Sequence, residues 1–293
     1  MIDQPVLQLS DVSKFYKKQL VLDHLSLDVR PGSVLGLLGK NGAGKTTLLE
    51  LMLGYSTPSS GVVRIFGAES QRMPGDVKRR VGFVPQQDEL LNQLTVAEQL
   101  RVIASFYPKW DHELISRLCG AWGVDPQARI KSMSVGERQK LSIMLAFGHR
   151  PDLLILDEPV ASLDPLARRQ FLEQLVELSV EGQRAIVFSS HIVSDIERLA
   201  SRIWILKEGR LFWEGDLESL KESVSRLHIR CGGATVPDFE IPGVINLRAQ
   251  AQSVTAVVRD WTPAIQQSFE ERYLVTVEQE SLGLEEIFLE LHR

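Results

Sequence analysis

The sequence has few cysteines, no long apolar run and no strong excess of either charge. The two cysteines, Cys119 and Cys231, lie far apart without metal-ligand spacing, so we expect free thiols that are buried or half-buried. No apolar run exceeds about half a dozen residues, far short of the ~20 that span a bilayer. The first residues lack the basic and apolar regions of a secretory signal. We therefore expect a cytosolic chain without a membrane span.

The charge balance and the composition set the broad class of the protein. The 33 lysines and arginines stand against 38 aspartates and glutamates, and the net charge of −5 argues against a general affinity for nucleic acid. Hydrophobic residues make up 44% of the 293 positions, which is enough for a sizeable core and excludes wholesale disorder. A chain of this length predicts one large domain or two.

Short apolar strands alternate with helices through most of the chain. Residues 25–29 alternate apolar and polar side chains with a period of two and stop at Arg30-Pro31-Gly32, which is a turn signal. Further short strands are predicted at residues 34–38, 153–156, 185–188 and 203–206. In a helix near residues 165–180, one face carries Phe171, Leu175 and Leu178. This alternation predicts an α/β fold with a largely parallel sheet covered on both faces.

Two regions depart from this alternation. Residues 87–150 have a helical pattern without a convincing strand, which predicts a helical subdomain inserted into a domain that covers residues 1–224. Residues 225–293 predict a small α+β domain. Its expected elements are loop-rich stretches at 231–233 and 237–243, strands at 253–259 and 274–277, a helix at 262–272 and a closing amphipathic helix with Leu284, Ile287, Phe288 and Leu291 on its apolar side.

A glycine-rich segment between a buried strand and a helix fits the P-loop pattern GxxxxGK[ST]. In such a loop the backbone N–H groups point inward at phosphate oxygens, assisted by the helix N-terminus. Lys45 would reach the β- and γ-phosphates, and the Thr46 hydroxyl would bind Mg²⁺. The expected nucleotide-binding residues are Gly39, Lys40, Asn41, Gly42, Ala43, Gly44, Lys45, Thr46 and Thr47.

Two carboxylates end the apolar strand at residues 153–156. Asp157 at the strand tip is suited to hold Mg²⁺, directly or through water, and Glu158 is suited to orient and deprotonate an attacking water. Buried strands often end in acidic residues, so the pattern is weak alone. It becomes strong about 110 residues after a P-loop, in the order that P-loop ATPases use.

With these motifs in order, the sequence over about residues 6–222 resembles the ATP-binding subunit of an ABC transporter. The resemblance implies a parallel-sheet core with an N-terminal antiparallel β subdomain and an inserted helical subdomain. It also implies that Tyr16 stacks on adenine, although a tyrosine there could simply belong to the core or to an edge strand. Gln86 matches the glutamine that senses Mg²⁺ and water. Gln87 competes for that role, and the spacing favours Gln86.

The segment Met133-Ser134-Val135-Gly136-Glu137-Arg138-Gln139 resembles the signature segment of the family, Leu-Ser-Gly-Gly-Gln-Arg-Gln. By resemblance, Ser134 and Gly136 contact the γ-phosphate of ATP held by the opposite subunit, with Glu137 beside them. Valine at 135 and glutamate at 137 depart from the usual residues, so closure is expected to be slower or weaker. A serine in this place is also an ordinary helix N-cap, and the two interpretations are compatible.

Two further landmarks complete the set. Ser162-Leu163-Asp164 resembles the D-loop, in which Asp164 contacts the opposite subunit, and His191 matches the switch histidine that contacts the γ-phosphate. Glu158, His191 and Gln86 are thus the expected catalytic residues, and Thr46, Gln86 and Asp157 the expected Mg²⁺ ligands. Because every catalytic position is filled, we expect an active Mg²⁺-dependent ATPase with ATP as substrate.

The resemblance predicts the motor of a membrane transporter that acts as a homodimer, or as a heterodimer with a related chain, on separate membrane-spanning permease subunits. Such a subunit would lie in the cytoplasm at the inner face of the membrane, without a nucleic-acid partner. The alternative is a soluble ABC-type ATPase of the ribosome-binding or DNA-repair type. Residues 106–111 and 281–291 resemble the subfamily that serves ABC-2-type exporters, which favours export over import.

A contact surface for the permease is expected next to Gln86. Four apolar residues follow it and are suited to grip a short helix of the permease, or else belong to the core: Leu90, Leu91, Leu94 and Val96. The nearby basic run Lys78-Arg79-Arg80 is expected to be a solvated face.

Overall fold

A computed structural model describes residues 4–180, 184–231, 239–250 and 253–293. The chain divides into two compact units, Met1–Glu214 and Gly215–Arg293. The strands that begin in the first unit are β1 Leu7–Tyr16, β2 Gln19–Val29, β3 Val34–Leu38, β4 Ser60–Ile65, β5 Ala68–Glu69, β6 Val81–Val84, β7 Leu153–Leu156, β8 Ala185–Ser190, β9 Arg202–Lys207 and β10 Arg210–Asp216. Its helices are α1 Lys45–Leu53, α2 Gly75–Lys78, α3 Val96–Ala104, α4 His112–Trp122, α5 Val135–Phe147, α6 Pro165–Val180 and α7 Val193–Leu199.

The core of the first unit is a six-stranded sheet in the order β10-β9-β3-β8-β7-β6. Strand β3 pairs in parallel with β8 and β9, and β7 pairs in parallel with β6 and β8. Every residue of β7 and β8 is buried, as expected for strands covered on both faces. The predicted parallel core is confirmed. Because these strands run the same way, the segments that follow β3, β7 and β8 meet at one edge of the sheet.

An N-terminal sheet in the order β2-β1-β4-β5 is antiparallel, as the resemblance implied. Its inward side chains, among them Leu7, Leu9 and Leu27, join one apolar cluster with Leu48 and Leu51 of α1. The P-loop helix is therefore held between this sheet and the parallel core. That packing fixes the position of the loop that precedes α1.

Residues 87–150, all of which the structure describes, contain α3, α4 and α5 and no strand beyond an isolated bridge between Thr95 and Arg129. Helix α3 begins with a capping box, in which the Thr95 hydroxyl accepts from the Glu98 N–H and the Glu98 carboxylate accepts from the Thr95 N–H. Helix α6 covers the predicted residues, and Phe171, Leu175 and Leu178 are buried. None of the described helices combines the length and apolar character needed to cross a membrane.

The second unit holds a four-stranded antiparallel sheet in the order β12-β13-β11-β14. Its elements are α8 Leu217–Ser223, β11 Val224–Cys231, β12 Val244–Gln250, β13 Ser253–Arg259, α9 Pro263–Tyr273, β14 Val275–Ser281 and α10 Leu284–Leu291. Strands β11 and β12 were not predicted. Of the two expected loop-rich stretches, residues 232–238 lie outside the described part of the chain.

Leu274 was predicted to begin a strand, and that prediction is wrong. Its backbone is left-handed, with φ of 53°, and it ends α9 while its side chain is 86% exposed. Glycine or asparagine is the usual residue at such a position, so residue type gave no sign of it. The neighbouring apolar cluster of this unit is built instead on Leu227, Ile229, Trp261 and Phe269.

Candidate active site

The P-loop runs from the end of β3 into α1, and two of its glycines have left-handed backbone. Gly42 has φ of 83° and Gly44 has φ of 104°. A Cβ on Gly44 would lie 2.7 Å from Leu22 Cδ2 and 3.1 Å from the Val21 carbonyl oxygen, so a side chain is excluded there by contact as well as by conformation. A Cβ on Gly39 would likewise lie 2.9 Å from the Leu206 carbonyl oxygen. The loop therefore depends on its glycines.

Lys45 is the first residue of α1, and its side chain is 7% exposed. Its Nζ donates to the Gly39 carbonyl oxygen at 2.8 Å and lies 3.5 Å from Glu158 Oε1. The ammonium group is thus held between its own loop and the carboxylate that follows β7. A buried cation at a helix N-terminus is a strong site for anionic oxygens.

A cavity of about 360 Å³ opens at this place. It is lined by Val21, Lys40, Asn41, Gly42, Gly44, Lys45, Thr46, Thr47, Gln86 and Glu158. The fold therefore brings most of the predicted P-loop residues together with Gln86 and Glu158, which lie far away in sequence. Between the two candidate glutamines, the lining includes Gln86 and not Gln87.

Asp157 and Glu158 are joined by a serine that the sequence analysis did not identify. Ser189 Oγ donates to Asp157 Oδ1 at 2.6 Å and accepts from the Glu158 N–H at 2.8 Å. All three residues are buried. Glu158 has left-handed backbone with φ of 49°, which is unfavourable for a residue with a side chain and is enriched at functional sites.

His191 follows β8 and contacts Glu158. Its Nδ1 lies 2.6 Å from Glu158 Oε2, and its backbone N–H donates to the same oxygen at 3.3 Å. One carboxylate oxygen of Glu158 thus faces Lys45 and the other faces His191. The arrangement fixes the Glu158 carboxylate at the cavity wall, where it can orient a water molecule next to bound phosphate.

The chemistry of the expected Mg²⁺ ligands fits that ion. Thr46 and Gln86 line the cavity, and Asp157 is buried at the tip of β7. A hydroxyl, an amide and a carboxylate supply the oxygen ligands that Mg²⁺ prefers, and nucleotide phosphates and water commonly complete its coordination. Among the described residues, no three His, Cys, Asp or Glu side chains gather as a metal site.

Tyr16 lies at the end of β1, and its ring is half-exposed. Its hydroxyl donates to Glu50 Oε2 at 3.4 Å, and Lys14 Nζ lies 4.8 Å from the centre of the ring. The ring is not part of the cavity wall formed by the P-loop. Stacking of Tyr16 on adenine therefore stays a prediction.

Ser134 begins α5 with a capping box. Its hydroxyl accepts from the Glu137 N–H at 3.3 Å, and Glu137 Oε2 accepts from the Ser134 N–H at 2.7 Å and from the Ser134 hydroxyl at 2.8 Å. These hydrogen bonds, that from the Ser134 backbone foremost, hold the pKa of the Glu137 carboxyl below its ordinary value. Val135 is 67% exposed. The Glu137 carboxylate is thus folded back onto its own helix.

Asp164 acts as a cap for α6, because its Oδ1 accepts from the Ala167 N–H at 2.9 Å and the Leu166 N–H at 3.0 Å. These bonds, with that from Ala167 the stronger, lower the pKa of Asp164. The loop lies against the start of α5, since a Cβ on Gly136 would be 3.2 Å from the Ser162 carbonyl oxygen. Ser134, Gly136, Glu137 and Asp164 therefore form one surface, which does not line the cavity of their own P-loop.

A second contact that the sequence analysis missed joins the segment after Gln86 to α5. Arg138 Nε donates to Asp88 Oδ2 at 2.9 Å, and its Nη1 donates to Asn92 Oδ1 at 2.7 Å. Hydrogen bonding from Arg138 lowers the pKa of Asp88. The guanidinium therefore connects the segment of one candidate site residue with the helix that carries Ser134.

Comparisons with known proteins agree with this geometry. The sequence profile of the ABC transporter family matches residues 22–161. The chain is 35% identical over 223 residues to the Nod factor export ATP-binding protein I of Cupriavidus metallidurans, covering 74% of this chain and 73% of that protein. It is 33% identical over 219 residues to the bacitracin transport ATP-binding protein BcrA of Bacillus licheniformis, covering 74% and 72%.

Among solved structures, the ATP-binding subunit of an ABC transporter superposes with a TM-score of 0.68 at 31% identity, covering 74% of this chain and 92% of that one. The fold, the P-loop cavity and the sequence relatives thus support the same family assignment. The chain belongs to the family of ATP-binding subunits of ABC transporters and is an ATPase.

Proposed function

We propose that this chain is the ATP-hydrolysing motor of a membrane exporter, with Glu158 as the residue that activates water. The observation that carries the proposal is the placement of the Glu158 carboxylate between Lys45 and His191 at the wall of the P-loop cavity. Groups of both charges converge there on one point beside the phosphate site. Such an arrangement suits in-line attack of water on the γ-phosphate.

Each residue has one task in this mechanism. The N–H groups of the loop and the Lys45 ammonium bind the β- and γ-phosphates. Glu158 accepts a hydrogen bond from the attacking water and draws its proton, while His191 holds the carboxylate and reaches toward the γ-phosphate. Ser189 fixes the relative positions of Asp157 and Glu158 through its two hydrogen bonds. Mg²⁺, when held by Thr46, Asp157 and Gln86, would neutralise charge on the phosphates.

The active form in this proposal is a head-to-tail dimer with two interfacial ATP molecules. The cavity in one chain has no wall from the signature segment, whereas Ser134 and Gly136 lie on a separate surface with the Asp164 loop. A second subunit that presents this surface would complete the phosphate site. Since one chain carries both halves, a homodimer suffices, and a heterodimer with a related chain would use the same contacts.

Export is the direction that the relatives favour. One relative is named for export of Nod factor and another for transport of bacitracin, so related subunits serve cargoes of different chemistry. We infer that membrane-spanning partners choose the cargo and that this chain supplies the energy from the inner face of the membrane. An importer would use the same ATPase cycle, and no observation on this chain favours it.

The proposed contact with the membrane partner is a groove of about 580 Å³, called the docking groove below. Its apolar lining includes Tyr55, Met73, Phe83, Leu90, Ile103 and Leu145. Of the four residues expected at this surface, Leu90 lines the groove, and Leu91 is 41% exposed next to it. Val96 is fully buried and belongs to the core, so its assignment to the groove was wrong.

The proposed motor is tested by trapping its closed state. Glu158→Gln retains the phosphate contacts and removes the proton acceptor, so with excess ATP and Mg²⁺ it should form a dimer in light scattering. Lys45→Ala in the same background should remain monomeric, because the phosphates then lose their clamp. A Glu158→Gln protein that binds ATP and stays strictly monomeric would contradict the head-to-tail dimer.

A further inference from the structure

A second cavity of about 370 Å³ adjoins the docking groove. The two cavities share Tyr107 and His149, whose rings stack with centres 4.0 Å apart and planes 19° from parallel. Burial lowers the pKa of His149 to about 4, so this shared wall is uncharged near neutral pH. An occupant of the groove that reaches over this stack therefore lies next to the second cavity.

Positive charge surrounds this second cavity, which we call the basic pocket. Its lining includes four cationic side chains, Arg79, Arg80, Lys109 and Arg150, against the two carboxylates of Asp76 and Asp152. Three separate segments supply these cations. From sequence, residues 78–80 are predicted to be a solvated face, because a local run of bases does not show which distant residues will join it.

Two of the four cations are already engaged. Arg80 Nε pairs with Asp152 Oδ2 at 2.5 Å and its guanidinium lies 3.6 Å from the centre of the Phe66 ring, while Arg150 Nε pairs with Asp111 Oδ2 at 2.7 Å. Arg79 and Lys109 are exposed and form no ion pair with any residue that the structure describes. The pocket therefore offers two uncommitted positive charges next to a groove whose lining is mainly apolar and also includes Lys78 and Glu89.

The floor of the docking groove also carries an unsatisfied polar atom. Ser142 lies on α5 and lines the groove, its side chain is more than nine-tenths buried, and its hydroxyl has no hydrogen-bond partner. Buried hydroxyls in proteins are nearly always hydrogen-bonded, so this atom indicates a missing polar partner rather than a purely apolar one. The occupant of the groove is thus expected to present one polar group to Ser142 beside its apolar contacts.

We propose that the docking groove and the basic pocket together bind one amphipathic helix of the membrane partner, with its apolar face in the groove and at least one carboxylate at the end that reaches Arg79 and Lys109. This inference rests on the proposed function and specifies the chemistry of the partner. Charge complementarity of this kind selects the partner and sets the orientation of the helix, because the reversed helix would leave its carboxylate outside the pocket.

The test uses the full-length chain in its own cells, with a photo-crosslinking amino acid in place of Gln71, an exposed residue at the groove wall. Mass spectrometry of the adduct reads the sequence of the crosslinked segment. We expect a cytoplasmic segment of a membrane-spanning protein, with Asp or Glu within about two helical turns of the crosslink. A crosslinked membrane segment without acidic residues would overturn the inference.

Charge reversal gives the second readout. Arg79→Glu with Lys109→Glu should reduce the crosslink at position 71 roughly twofold to thirtyfold, as expected for the loss of two exposed ion pairs, and the remaining crosslink should lose its salt dependence. Arg117→Glu, an exposed reversal on α4 that lines neither cavity, should leave the crosslink unchanged. Replacing the acidic residue of the partner by Lys should restore crosslinking to the doubly reversed chain.

These experiments distinguish failure of the proposed permease contact from failure of the inference about the acidic helix. If no membrane protein is crosslinked from position 71 in any variant, the proposed permease contact fails and this inference with it. If the crosslink forms and the double reversal leaves it unchanged, only the acidic helix is wrong. Should the double reversal instead abolish binding to phosphatidylglycerol vesicles and spare the crosslink, the pocket binds a lipid headgroup. The ATPase rate of the isolated double variant should equal that of the parent, which confirms that it is folded.

Discussion

The P-loop cavity and the surface around Ser134 are both assigned to ATP, yet they are organised in opposite ways. Lys45, Asp157 and Glu158 are buried, and their side chains are held by neighbours from three strands of the same chain. Ser134 and Val135 lie at the start of a helix, where the hydrogen bonds of the serine are made within its own first turn. The first surface is preorganised, whereas the second would have to give up a local contact to meet phosphate in the proposed dimer.

The largest effect is expected in the P-loop cavity, on the rate of ATP hydrolysis. Glu158→Gln should lower the rate of Mg²⁺-dependent ATP hydrolysis roughly 10²–10⁴-fold, because an amide cannot take the proton of water, and ATP binding should be retained. Steady-state turnover and equilibrium binding of ATP measure the two properties separately. Glu173→Gln, at an exposed position on α6, is the matched control. Turnover at the parent rate in Glu158→Gln would remove Glu158 from its role.

His149, at the end of the helical region, allows a test in which the stability of the fold is measured against pH. His149 is buried, and its pKa is lowered to about 4 in the folded chain. The unfolded chain takes up a proton near pH 6.5 and the folded chain does not, so stability is complete above that pH and falls as the pH drops toward 4. The loss from this group is about 3 kcal/mol at most.

His149→Phe keeps a ring against Tyr107 and cannot titrate in this range. The free energy of unfolding, measured in denaturant at pH 7 and pH 4, should therefore fall less in the variant than in the parent. Equal losses in the two proteins would mean that His149 does not differ in proton affinity between the folded and unfolded states.

Ser189→Ala tests how much of the preorganisation depends on one hydroxyl. Its loss leaves the Glu158 N–H unpaired and releases Asp157 Oδ1, which should reduce turnover roughly tenfold, as expected for one buried hydrogen-bonded group. Ser190→Ala is the matched control, since Ser190 is equally buried but bonds only to Ile192. Equal losses of turnover in the two variants would show that turnover depends on the buried end of β8 and not on the hydrogen bonds of Ser189 to Asp157 and Glu158.

The smallest expected effect is at the exposed surface. Glu137→Gln retains a side-chain oxygen that can cap α5 and removes the negative charge that would face the phosphates of the opposite subunit. In the Glu158→Gln background, the ATP concentration that gives half-maximal dimerisation should fall roughly twofold to fivefold, within the range of a single exposed charge. A higher ATP requirement would indicate that the carboxylate assists closure.

The difference between the two surfaces also explains what could be predicted from sequence. The P-loop was identified because its glycines, Lys45 and Thr46 are contiguous, and the loop needs them for local reasons. Ser189 acts on residues 31 and 32 positions away, and Arg138 reaches Asp88 across 50 positions, so neither contact has a local pattern. The roles assigned to Tyr16, Ser134 and Asp164 stay predictions.

The second unit was predicted less completely, for two different reasons. The alternation of Leu227 and Ile229 with polar neighbours is a strand signal, and it would have predicted β11. Strand β12 lies at the edge of its sheet with Val244 and Leu247 about half exposed, so its apolar residues do not mark a buried face. Edge strands receive their conformation from their neighbour more than from their own sequence.

The ion pair between Arg138 and Asp88 bears on how two ATP molecules would influence each other. In the proposed dimer, Gln86 belongs to the site that one subunit's P-loop forms, while Ser134 of that subunit belongs to the other site. Arg138 connects the segments of both residues within one chain. In that dimer the Arg138 link would join the two ATP sites, and a Hill coefficient for ATP hydrolysis that differs from one would be the measurable sign of their coupling.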